Sequence, residues 1–117
     1  MPCLNELEKA VLEKMIQDAS GNLHPLLREQ LDGVSVVNRK NSGAGFFTEL
    51  KVGNIARPID AGAVGSVWAD IEGFNQPMTF LLLLRNGIIR KLEGATIGDD
   101  TSGVDFSKVR FVIRPIV

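Results

Sequence analysis

The sequence predicts an α+β fold, an N-terminal helical hairpin packed on one face of an antiparallel sheet of about five or six strands. Two observations carry the prediction. Apolar residues recur every three or four positions as far as Leu31, then from Val34 onward the period becomes two and β-branched residues take over. Helices therefore come first and strands afterwards, as one domain over 1–117 divided into a helical part, 1–32, and a sheet part, 33–117.

Leu4, Leu7, Val11, Met15 and Ala19 form the apolar stripe of an amphipathic helix of about four turns, with Glu6, Glu8, Lys9, Glu13 and Lys14 opposite. Ser20, Gly21 and Asn22 break it, Gly21 being suited to a left-handed stop. Pro25 fits the first turn of a shorter helix through Leu26, Leu27 and Leu31, closed by Gly33. Strands are expected at Val34 to Lys40, Gly45 to Val52, Val64 to Gly73, Pro77 to Arg85, Ile88 to Ile97 and Lys108 to Ile113. "GNIARPIDAGAVG" reads as a loop.

Asn86-Gly87 between two apolar runs is the preferred two-residue type I′ turn, because both central residues take positive φ. Carried outward without interruption, the turn puts Arg85 opposite Ile88, Leu84 opposite Ile89, Leu82 opposite Lys91 and Phe80 opposite Glu93. Val67, Ala69 and Ile71 then match Leu81 and Leu83 beneath the helices. Trp68, Asp70, Glu72, Phe80, Leu82, Lys91 and Glu93 share the other face. With Met78, Leu84 and Ile89 added, that face is too apolar to stay bare on a monomer. A loop through Ile55 and Ile59, the terminal "RPIV", a ligand or a second copy of the chain would cover it.

Composition narrows the function classes. Thirteen basic against fourteen acidic residues give a formal charge of −1, so no global field exists to hold a polyanion and nucleic acid is disfavoured. Cys3 is the sole cysteine and suits a reducing compartment. The acidic N-terminal stretch is unlike a signal peptide, and the longest apolar run, "FLLLL", falls far short of a membrane span. A cytoplasmic protein without membrane association is expected.

Several stretches invite chemistry. Ser42, Gly43 and Gly45, with Arg39 and Lys40 nearby, have the small residues of an anion-binding nest, but Phe46, Phe47 and Thr48 follow where a phosphate loop needs a helix. A hairpin connection is the simpler reading. Asp70, Glu72 and Glu93 would gather beside Lys91, as paired carboxylates do in general acid–base catalysis. A charged cross-strand network explains the same residues. "GDDTSGVD" holds Asp99, Asp100 and Asp105 yet lacks the EF-hand spacing. His24, the only histidine, reads as a helix-entry residue, and no GxSxG element accompanies a serine. No cofactor, metal ligand set or catalytic residue is assigned, and the interleaved basic and aromatic strip of an RNA surface is missing.

"NRKNSGAGFFTEL", "ADIEG" and "LLLLRNGIIRKLEG" together resemble an uncharacterised family of small bacterial proteins with a Gly-x-Gly-Phe-Phe-Thr segment, an Ile-Glu-Gly strand end and a hairpin strand closing on Leu-Glu-Gly. The likeness spans about Asn38 to Asp100. It implies no activity; Arg39, Gly43, Gly45, Phe46, Phe47, Glu72, Glu93 and Gly94 are its repeated pieces. The expectation from the residues is a non-enzymatic interaction protein that self-associates as a homodimer, or binds a protein partner, through the sheet face away from the helices. A small-ligand-binding protein or a hydrolytic enzyme using that face's carboxylates is the alternative.

Overall fold

The computed structural model describes residues 3–53 and 57–115. Helices α1 (Glu6–Asp18) and α2 (Leu23–Asp32) precede strands β1 (Val34–Asn41), β2 (Gly45–Val52), β3 (Ala63–Ile71), β4 (Met78–Arg85), β5 (Ile88–Ala95) and β6 (Phe111–Ile113). The strands form one sheet in the order β1-β2-β5-β4-β3-β6, and every neighbouring pair is antiparallel. The α+β class, with N-terminal helices on an antiparallel sheet, is as the sequence predicts.

α1 starts on a capping box. The Asn5 side chain accepts from the Glu8 backbone N–H and the Glu8 carboxylate accepts from the Asn5 N–H, which satisfies two donors left over at the first turn. Leu7, Val11, Leu12, Met15 and Ile16 turn inward and join Leu27 of α2 over the sheet. Glu8 lies on this buried side too, not on the solvated face expected of it.

The sheet carries three bulges, each with one unpaired extra residue: Val37 in β1, Ser66 in β3 and Arg90 in β5. An extra residue reverses which side chains point inward beyond it. In β5 it lets both Ile89 and Leu92 enter the core, three positions apart, and shifts the hairpin register so that Leu82 pairs with Leu92 and Phe80 with Gly94. The expected pairing holds only at the turn, for Leu84 with Ile89 and Arg85 with Ile88.

Register across β3 and β4 corrects the assignment of faces. Val67 pairs with Phe80 and Ala69 with Met78, so Val67, Ala69 and Ile71 share the helix-covered face with Met78, Phe80 and Leu82. Phe80 is 1% exposed and Leu82 0%; neither belongs to the outer face. Four consecutive leucines supply an apolar residue to both faces, and the six-residue connection from Glu72 to Pro77 sets the register without a two-residue turn rule to reveal it. The Phe46 ring lies 6.1 Å from Phe80 and 4.6 Å from Phe106, which closes the core from the segment between β5 and β6.

Candidate functional site

The outer face can now be read from the register. One row across the sheet runs Lys40, Phe47, Glu93, Leu81 and Gly65; the next runs Asn38, Glu49, Lys91, Leu83 and Ala63. Trp68 stands beside Thr79, and Asp70 beside Val112 of the edge strand. Trp68 is 39% and Leu81 38% exposed, with Phe47 and Leu83 half-buried between their neighbours. The Lys91 ammonium sits 4.8 Å from the Phe47 ring centre, a cation held against an aromatic face.

Five of the residues singled out from the sequence, Trp68, Asp70, Glu72, Lys91 and Glu93, lie toward this face; Phe80 and Leu82 do not. Ile59, offered as a cover, is buried in the core, while Ile55, Ile116 and Val117 lie outside the described residues. Glu93 stays apart from Asp70. Asp70 accepts two hydrogen bonds from Arg114, at 2.9 and 3.0 Å, and Glu72 lies just beyond β3 with its backbone N–H donating to the Arg110 carbonyl. From the row of Glu93 to Asp70 is five residues along β3 and two strands across, on the order of 15 Å or more. Glu93 is therefore not paired with Asp70.

The loop of small residues is a hairpin connection. The N–H of Ser42 donates to Gly45 O (3.0 Å), that of Gly43 to Asn41 Oδ1 (2.9 Å) and that of Gly45 to Thr101 Oγ1 (3.0 Å). These three donors are turned to protein acceptors rather than toward a bound anion. Buried Thr101 holds the turn to the segment after β5: its hydroxyl donates to Asn41 Oδ1 at 2.8 Å and its N–H to Gly43 O at 2.9 Å. Gly45 has φ +130°, and a Cβ there would strike the Gly94 carbonyl, so the close approach of β2 to β5 requires glycine.

Arg39 serves elsewhere. The Val37 bulge turns it inward, where its Nε and Nη2 donate to Glu8 at 3.0 and 2.7 Å and Nη2 also donates to the Cys3 carbonyl at 2.6 Å. The Thr48 hydroxyl completes the set around Glu8. Burial pushes the Glu8 carboxyl up, but the bonds from Arg39, Thr48 and the Asn5 N–H outweigh it and hold the group below the ordinary carboxylate range. The node borders a groove of about 470 Å³ with Phe46 and Phe106 on its wall. Asn5-x-x-Glu8 is the one readable signal of it, as a capping box; the link to Arg39 depends on a bulge that spacing does not disclose.

Fully buried Gln30 is a second node absent from the sequence reading. Its amide donates to Arg57 O (3.0 Å) and Gly87 O (2.9 Å) and accepts from the Ile89 N–H (2.8 Å), joining α2 to the tip of the β4–β5 hairpin. Among the described residues no group of three His, Cys, Asp or Glu side chains is placed to hold a metal, and no helix is long and apolar enough to cross a membrane. No family model, curated protein or solved structure matches the chain.

Proposed function

We propose that the chain is a non-enzymatic interaction protein that associates with a second copy of itself through the outer face of the sheet. The observation that supports this is the exposed apolar strip on the β4-β3-β6 half, with Trp68 and Leu81 each more than a third exposed and Val112 at 67%. Single exposed apolar residues are ordinary, but several on one face favour burial against a partner.

A two-fold arrangement lets one self-complementary patch serve both partners. The same proposal places the chain beside the small bacterial proteins that its Gly-x-Gly-Phe-Phe-Thr and Leu-Glu-Gly segments resemble.

Sedimentation velocity over a range of concentrations tests the proposal. The native chain sediments as a dimer, and Leu81→Asp sediments as a monomer with an unchanged circular dichroism spectrum. A native chain that stays monomeric throughout overturns the reading.

A further inference from the structure

Seven of the thirteen basic side chains form ion pairs among the described residues: Lys9, Lys14, Arg28, Arg39, Arg57, Lys108 and Arg114. The remaining six are not scattered evenly. Four of them, Lys51, Arg85, Arg90 and Lys91, line one cavity of about 530 Å³ together with Val37 and a single carboxylate, Glu49. The cavity lies over β1, β2, β5 and the Arg85 end of β4, at the turn end of the sheet, whereas the apolar strip runs from Leu81 of β4 across β3 to β6.

Backbone irregularity builds it. Arg90 is the extra residue of the β5 bulge, so Arg90 and Lys91 escape the alternation that would send one of them inward. Arg85 ends β4 just before the turn, and Lys51 occupies an outward position of β2, opposite Ser35. Like charges repel one another; although the Lys91 ammonium rests against the Phe47 ring, none of the four cations forms an ion pair among the described residues, and an anion relieves the local excess of three positive charges.

We propose that this cavity is a binding site for a small anion of the phosphate-ester or diphosphate class. Arg85 and Arg90 carry planar, forked donors that match phosphate oxygens in pairs, and Lys51 and Lys91 add two point charges. The charge excess selects a ligand with two or more negative charges. Val37 supplies an apolar wall for an organic portion, and the volume falls within the roughly 300–1,000 Å³ of small-molecule sites. The site uses neither Trp68 nor Leu81 and does not depend on self-association.

The test is a titration of the full chain with inorganic pyrophosphate at low salt, followed by amide NMR shifts, with citrate as a second anion. Saturable shifts centred on Lys51, Arg85, Arg90 and Lys91 are expected, with pyrophosphate binding more tightly than citrate. Each lost guanidinium weakens binding about tenfold, so Arg85→Gln with Arg90→Gln loses about a hundredfold. Arg110→Gln, which removes a cation outside the cavity, leaves affinity unchanged, and the monomeric Leu81→Asp chain binds as the native one does. The assignment is overturned by shifts that never saturate or spread equally to Arg110 and Lys108, by tighter binding of citrate, or by a double variant that binds like the native protein.

Discussion

Glu8 closes the start of α1, ties that helix to β1 through Arg39 and to β2 through Thr48, and does so from a fully buried position. A buried carboxylate is tolerated only with its lone pairs satisfied, and removing its charge strands the partner. Glu8→Gln is expected to cost about 2–4 kcal/mol, toward the lower part of the range for a broken buried pair because the Arg39 side chain is partly exposed. The pH dependence follows from the lowered carboxyl. Its contribution is complete above the unfolded-state value of about 4.3 and is lost as pH falls through the lower folded-state value. Urea denaturation at a series of pH values should show a gap between native and Glu8→Gln chains that is constant from about pH 5 to 8 and narrows below about pH 4. A gap that persists unchanged into strong acid would rule out the charged node.

At the scale of elements, the β4–β5 hairpin turns on Asn86 at φ +53° and Gly87 at φ +79°, the left-handed pair that Asn-Gly announces. A Cβ at Gly87 would lie 2.6 Å from Pro58 Cβ and 2.7 Å from Ile59 O, so strain and collision add. Gly87→Ala should lower stability by more than about 2 kcal/mol, read from thermal melts; a melt within a degree of the native one would show that the neighbouring loop yields freely. Such local signals made much of the fold legible. Period change separated helices from strands, and Gly45 to Val52 was bounded by its own composition. What lay hidden was the consequence of bulges at Val37, Ser66 and Arg90, each invisible to alternation and each reversing the faces beyond it. Trp68 and Asp70 could be placed by parity; Lys91 and Glu93 part from Ile89 only because of the Arg90 bulge, and Phe80 and Leu82 could not be placed because "FLLLL" satisfies either register. β6 begins at Phe111 rather than Lys108, since the Asp105 carboxylate takes the Ser107 N–H and hydroxyl and turns the chain first.

For the whole molecule, one substitution at two adjacent positions separates folding from association. Leu82 is buried beneath the helices, and Leu82→Asp should fail to fold or lose more than about 4 kcal/mol. Leu81→Asp on the outer side should retain native stability within about 0.5 kcal/mol of the isolated chain, measured by denaturation at a concentration where the native protein is dissociated. Equal losses at both positions would mean that the outer side is covered within a single chain. Gln30 has a consequence for motion rather than for association. The Ile89 amide proton is held by a glutamine of α2, so its exchange with deuterated solvent reports whether that helix has lifted away from the hairpin, even while the rest of the ladder remains closed.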